Sequence, residues 1–554
     1  VPLPFGRDRT PGVLAIALTD DGAHVRVWSR TCDGTRVDVV PFEPFLLVGD
    51  PAQLDGAARP TWIEKLDGPG TLSWRATFAT WADARAARER CGTQPFLFLS
   101  DPGHQYLLQS GRTSFHGMTF RDLRRLVLDI EVSTTAGYEF PNAARPDDRV
   151  IAVALVDSAG YEEVLRGDDL DEPALLTALN DRIRERDPDV IEGHNIFRFD
   201  LVYLETRARR YGMRLAWGRD GGVLRGRTRR LAIAERSISY CRYEVPGRHI
   251  ADTWILAQLH DVGSRDLPGF GLKDLARHFG VAAGDRTYVP GDAITDVFRR
   301  APDQLMAYAL DDARETLALG ALFSPPFFAQ AQLLPFDYQS VMLRGAAEKI
   351  DALLMREYLR RHAAIPVPGT PAAVGGAHVA VYAQGVARPV LHVDVTSLYP
   401  SLMLARGIAP ASDALGVFLP LLADLRYMRL EARRRAREAP DAAHYRALQQ
   451  SFKTLINAFY GYLAYSRAHW NDYAAADRIT AEGRALVTAL VERLHALGAT
   501  PIEADTDGVY FVPPRGHRAE ADDLLLQQVA AALPPGIQLE LDGRYAAMFS
   551  YKPK

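Results

Sequence analysis

Between Arg125 and Leu322 short β-rich runs alternate with amphipathic helical stretches, and this alternation limits the fold more than any other feature of the chain. Strand-like runs fall at Arg125–Glu131, Val150–Val156, Val190–Ile191 and His249–Asp252. Helical periodicity falls near Pro173–Arg186, Phe199–Tyr211, Leu272–Phe279 and Pro302–Leu322. Such alternation builds an α/β layer in which helices cover a sheet. Upstream, residues 1–120 set short apolar runs between Gly, Pro and Asp turns, which predicts a mostly β domain. Downstream, Pro325, Pro326 and Pro335 interrupt the helical pattern, Ala346–Ala363 resumes it, and Pro366–Gly376 reads as a linker. Beyond it come a strand at Pro389–Asp394 and Arg-rich helical segments at Phe418–Arg437 and His444–Tyr465. A third helix at Ala475–Leu497 and a strand–turn–strand over Ile502–Val512 follow.

At 554 residues the chain has room for three or four domains. With 47% hydrophobic and 24% charged residues it is neither fibrous nor wholly disordered. No apolar run approaches the ~18 residues of a membrane span, so no membrane partner is expected. Cys32, Cys91 and Cys241 are widely spaced and form no C-x-x-C pair, which favours a reducing, cytoplasmic compartment. The amino end has no signal-peptide pattern and no Met, so the expectation is an incomplete reading frame. A net charge of −4 gives no global sign of nucleic-acid binding. Only six lysines stand against 59 arginines, so each lysine carries information.

Four carboxylates stand out in the α/β region. Asp129 and Glu131 lie two apart on a strand and so point the same way, as two hard oxygen ligands for a divalent metal would. Asp200 follows Asn195-Ile-Phe-Arg-Phe199 at the start of a helix, where an Asp is ordinarily a cap. Tyr308 and Asp312, four apart, share a helix face. Taken together, D-x-E, N-x3-F-D and Y-x3-D resemble the motifs of the DEDD 3′–5′ exonucleases in their Tyr-containing subclass. That resemblance implies an RNase H-like domain over 121–330. Asp129, Glu131, Asp200 and Asp312 would hold two Mg²⁺ ions, with Mn²⁺ as a substitute, and Tyr308 would orient the attacking water. Asn195 and Phe199 would contact a single-stranded 3′ end.

A second set lies past the linker. Asp394-Val-Thr-Ser397-Leu398-Tyr399-Pro400-Ser401 follows a strand, and the proline is expected to hold Tyr399 out of the α region. Lys453, Asn457, Tyr460 and Ala464 recur at helical spacing, a stripe that a plain amphipathic helix would make apolar. Lys453 can release a proton to a leaving group, which an arginine cannot. Glu503-Ala-Asp505-Thr-Asp507-Gly508 is a turn between apolar strands that pushes carboxylates outward.

These strings resemble the three polymerase motifs of the family B DNA polymerases, in order, and the likeness runs from about residue 120 to the end. It implies a ferredoxin-like palm at 376–420 and 466–554, helical-hairpin fingers at 421–465 and a connecting helix and linker at 331–375. Asp394 and Asp507 would hold the catalytic metals, with Asp505 in support. Backbone N–H groups near Ser397 and Leu398, with Arg429, Arg433, Lys453, Asn457 and Tyr460, would seat a dNTP, and Tyr399 would exclude a 2′-hydroxyl. Gly375, Gly376, Gly461, Lys552 and Lys554 would touch primer–template DNA. The family more often has Lys at the position of Arg433 and Ser at that of Gly508. Only 51 residues separate Ser401 from Lys453, enough for one hairpin turning near Glu438–Ala443. The end at Tyr551–Lys554 reads as a K-x-Y element cut short, which implies a bacterial-type enzyme truncated before its thumb. The alternative is a working exonuclease whose polymerase half only binds DNA. A clamp partner is not legible.

Overall fold

The computed structural model describes residues 6–56, 59–438 and 442–551. The Arg125–Val132 strand, buried along most of its length, is the middle of a five-stranded sheet. On one side it pairs antiparallel with Val150–Asp157, which in turn pairs with Glu162–Arg166. On the other it runs parallel to Val190–Gly193, followed by His249–Asp252. A strand buried on both faces is apolar along its length, and Val150–Val156 (V-I-A-V-A-L-V) is, with Asp157 at its end paired to Arg186. The helix Pro302–Phe323 lies across this sheet, with Ala309 and Ala313 packed against Val127, Ala154 and Val156. Those small residues let the helix approach closely and bring its polar stripe to the edge where Asp129 and Glu131 sit.

Ahead of this sheet, residues 13–97 form one three-stranded and one four-stranded sheet, with helices at Trp81–Arg90 and Pro102–Ser110. An ionic clasp joins them to the α/β part. Asp189, fully buried, accepts from Arg30 of the first sheet, from Arg219, and from the Arg124 backbone N–H. Breaking such a buried set strands a charge away from water, so the two parts are held in one orientation.

Pro325 and Pro326 interrupt helix for a single residue: Ser324 ends one helix and Pro325–Ala331 begins the next. Proline suits the first turn because the N–H it lacks has no helical partner there. The stretch 366–377 has neither helix nor strand, as the linker reading requires.

A second sheet follows, in the order Val379–Val381, Thr500–Asp505, Gly508–Val512, Val390–Val395, Leu539–Tyr545, antiparallel throughout. Its own core joins Leu391, Val393 and Phe511 to Leu486, Val487 and Leu490 of the helix Tyr473–Ala496. Two long helices, Phe418–Glu438 and Ala442–Leu463, pack side by side, with Phe418 and Phe459 5.0 Å apart between ring centres. The turn expected near Glu438–Ala443 falls on residues 439–441, outside the described residues, as do Lys552 and Lys554. Among the described residues no helix is long and apolar enough to cross a membrane.

Candidate active sites

The first site forms where the central strand meets the Pro302–Phe323 helix. One oxygen each from Asp129, Glu131 and Asp312 lie within 4.8 Å of one another. On the neighbouring strand Asp129 and Glu131 face Ala154 and Ala152, so no bulky side chain crowds the pair. Asp200 is not a cap: Phe199 holds that position, and Asp200 is the first helical residue. Its buried carboxylate instead accepts the N–H of Ile130, between the two strand acids, at 3.2 Å. It therefore stands beside the three-oxygen group rather than inside it.

Burial drives all four acids toward the neutral form, and repulsion adds to it for the strand pair. Asp129 is held well above the usual carboxylate range by burial, then by Asp200, Asp312 and Glu131. Burial, with Asp312 and Asp200 adding, pushes Glu131 up to about 8. Asp200 rises to about 7 by burial, and Asp312 rises by burial against the pull of Arg286 and Lys273. A concentration of hard oxygens that repel one another fits a divalent cation, which would relieve that repulsion.

These carboxyls bind protons more tightly folded than unfolded. Their contribution to stability is therefore fully present below about pH 4 and lost as pH rises through about 7 to 8. Urea unfolding in chelator is expected to show the chain losing stability from about pH 5.5 to 8.5. Glu131→Gln with Asp200→Asn should make that loss smaller, and Mg²⁺ should reverse it in the parent. An equal loss in parent and double variant would refute the linkage.

Three residues at this site escaped the motif reading. Lys273 donates to the Tyr308 hydroxyl, its ammonium 4.3 Å from that ring's centre, and it pulls Asp129, Glu131 and Asp312 toward the charged form. The scarcity of lysine was the signal that could have found it. Arg286, buried, pairs with Asp312 and with Glu315, the latter at 2.5 Å. Asp252 accepts from the backbone N–H groups of Asn195, Phe197, Trp254 and Ile255, and so shapes the turn ahead of Asp200. In that turn Asn195 takes a positive φ of 63°, and its side-chain oxygen is buried without a partner among the described residues. Phe199 is half-buried beside Tyr203.

The second site lies on the second sheet. Asp394, next to last in the Val390–Val395 strand, lies opposite Gly508, and Asp507 sits in the two-residue turn Thr506-Asp507 next to it. The Val395 N–H donates to the Asp507 carbonyl at 2.9 Å, which fixes the turn against the strand. Burial, then Asp507 and Asp542, push Asp394 up to about 7. Asp507 is raised by burial and by Asp505, which is itself exposed at the strand end.

Gly508 has a local reason. A Cβ there would lie 2.4 Å from His392 Nε2, and His392 is pinned by stacking on Tyr510 (3.9 Å, 8°) and by Asp542 at 3.0 Å. Asp542 and His392 carry no motif and were invisible in the sequence.

Ser397, at φ 49°, opens the helix Leu398–Arg406. Tyr399 lies inside that helix, contrary to the expectation drawn from Pro400. A proline in the first helical turn leaves no N–H unsatisfied, and here that outweighs its steric push on the residue before. The Tyr399 ring is held between Tyr460, 4.4 Å away, and Gly483, where a Cβ would come within 3.1 Å of it.

Arg429 reaches Ser397 Oγ at 3.4 Å and is disfavoured as a cation by burial and by Arg433 and Arg426. Arg433 lies 4.0 Å from Glu540. Lys453, Asn457 and Gly461 are exposed on the Ala442–Leu463 helix, Tyr460 is half-buried, and Ala464 falls just past its end. The Gly375 N–H donates to Asp477 and the Gly376 carbonyl accepts from Arg484.

The family described as DNA polymerase family B, exonuclease domain, matches residues 163–259, a span that holds Asn195, Phe199 and Asp200 but not the other acids. A DNA polymerase of Archaeoglobus fulgidus is 27% identical over 79% of this chain, which spans 56% of that relative. DNA polymerase 1 of Pyrococcus abyssi is 24% identical over 96% of this chain and 75% of its own length. The family B DNA polymerase structure from Pyrobaculum calidifontis superposes with a TM-score of 0.77 at 22% identity, covering 98% of this chain and 78% of that one.

The fold is that of a multidomain α/β protein, and residues 163–259 match the exonuclease domain of DNA polymerase family B. The chain is similar to these DNA polymerases over most of its length. These relatives are archaeal and give no support to the bacterial-type expectation.

Proposed function

We propose that this chain is a DNA-directed DNA polymerase that extends a primer 3′ end and trims it with an integral 3′–5′ exonuclease. The observation that carries the reading is the presence of two separate carboxylate sites, each with acids driven upward by burial and by one another. Bound Mg²⁺, or Mn²⁺ in its place, supplies charge neutralisation for the attacking and leaving oxygens at each site. At the first site Asp129, Glu131, Asp200 and Asp312 hold it. Lys273 donates to the Tyr308 hydroxyl and so fixes its lone pairs, leaving Tyr308 to align a water with the scissile phosphate. Asn195 and Phe199 grip the single-stranded 3′ end.

At the second site Asp394 and Asp507 hold the metal, with Asp505 in support. The free N–H groups at the start of the Leu398–Arg406 helix, around Ser397 and Leu398, receive phosphate oxygens of a dNTP. Arg429, Arg433, Lys453 and Asn457 complete that seat from the helical pair, and Lys453 gives its proton to the departing pyrophosphate. Primer–template DNA runs past Gly375, Gly376 and Gly461, with Lys552 and Lys554, outside the described residues, as further contacts. The RNase H-like, palm and fingers boundaries stated above, and a cytoplasmic location, go with this reading.

A 5′-labelled primer on a longer template, with Mg²⁺, tests it: lengthening with the four dNTPs and shortening without them. Shortening in both lanes would leave only the exonuclease. Tyr399 is wedged between Tyr460 and Gly483, so it cannot swing aside for a 2′-hydroxyl. Tyr399→Ala should therefore raise ribonucleotide insertion relative to deoxynucleotide by roughly 10–200-fold. Equal discrimination in variant and parent would remove that role.

A further inference from the structure

A cavity of about 180 Å³ lies between the amino-terminal sheets and the Ala346–Arg360 helix, far in sequence from every acid discussed above. Among the described residues its lining holds four arginines, Arg7, Arg75, Arg356 and Arg360, against a single carboxylate, Glu357. Glu357 is already engaged, by Arg360 and by Arg361 at 2.7 Å. Arg356 is almost wholly buried and its guanidinium bonds backbone carbonyls of Leu107, Arg112 and Leu333. Arg75 is four-fifths buried, and its nearest acid, Glu64, stands 3.7 Å away, with Glu43 a weaker, more distant attraction. Its Nε is buried with no hydrogen-bond partner among the described residues. The Gly111 carbonyl, just past the Pro102–Ser110 helix, is taken by the N–H groups of Arg7 and Asp8.

Like charges gathered around a cavity repel one another, and a buried, orphaned guanidinium donor is costly, unless an anion enters. We propose that this cavity is a phosphate-binding site that takes a phosphate monoester or free inorganic phosphate. The planar donor fork of Arg75 suits phosphate oxygens, and Arg7 adds a second cation at the exposed mouth. The volume is below the ~300 Å³ at which drug-sized pockets begin, so a phosphate group with little more than its sugar fits. Leu108 and Leu359 give that sugar an apolar wall. A nucleoside monophosphate and free phosphate share this chemistry.

Calorimetric titration of the full chain, without divalent metal so that neither carboxylate site retains nucleotide, separates the two sources. Inorganic phosphate and dAMP are the probes. The parent should bind at least one of them, with a thermal midpoint that rises with its concentration, and Arg75→Gln should weaken binding at least about tenfold. Affinity for dAMP about tenfold or more above that for phosphate would identify a nucleoside monophosphate; comparable affinities would identify free phosphate. Arg7→Gln, at the exposed mouth, tests the same site if Arg75→Gln does not fold, and should also weaken binding. Binding of neither probe by the parent, or the same affinity in the parent and the folded variants, would overturn the proposal.

Discussion

Asp129→Ala with Glu131→Ala is expected to reduce 3′ trimming by roughly 10³-fold or more while primer extension persists. The double change removes two of the three oxygens that converge within 4.8 Å, leaving Asp312 and the neighbouring Asp200 too sparse a set to hold a divalent cation. Charge stabilisation by such ions amounts to several kcal/mol at the transition state, and each 1.36 kcal/mol is about tenfold in rate. The substitutions also relieve the burial and repulsion that raise these acids, so the variant should unfold at a urea concentration no lower than the parent at about pH 8. A single-turnover assay on a labelled single strand reads the rate. Trimming unchanged in a folded double variant would sink the assignment of this site.

The mirror experiment is Asp394→Ala, which should abolish extension by a comparable factor and leave trimming intact. Asp394 is the better target than Asp505, because it is half-buried against Asp507 while Asp505 is exposed at the strand end. Asp505→Ala should cost far less, since an exposed acid beside the pair adds long-range charge that water screens. Together the two single variants rank the acids by position. Equal losses from Asp394→Ala and Asp505→Ala would show that the turn carries the carboxylates differently from the geometry described. Loss of trimming as well in Asp394→Ala would show that the sites are not separate.

Much of this architecture was legible because local rules agree with the packing. The V-I-A-V-A-L-V run could only be a doubly covered strand, and D-x-E on the next strand had to place both acids on one face. The stripe at 453, 457 and 460 was legible for the opposite reason: it broke the apolar pattern that its helix otherwise keeps. What escaped was whatever arrives from elsewhere in the chain. Lys273, Arg286 and Asp252 reach the first site from three different elements, and no spacing rule links them to the acids they serve. His392 and Asp542 likewise meet only because two strands lie side by side. Tyr399 was misjudged for a subtler reason. The rule that keeps the residue before proline out of helix is statistical, and it yields in a first turn where proline costs no hydrogen bond.

The ring contact between Tyr399 and Tyr460 joins residues from two different helices, Leu398–Arg406 and Ala442–Leu463. One surface of the residue assigned to sugar discrimination is thus supplied by the same helix that presents Lys453 and Asn457. A tilt of that helix alters two things together: how far its cations reach, and how tightly the tyrosine is wedged against Gly483. Sugar selection and phosphate grip would then rise and fall as one variable, so a substitution that loosens the helix should blunt both.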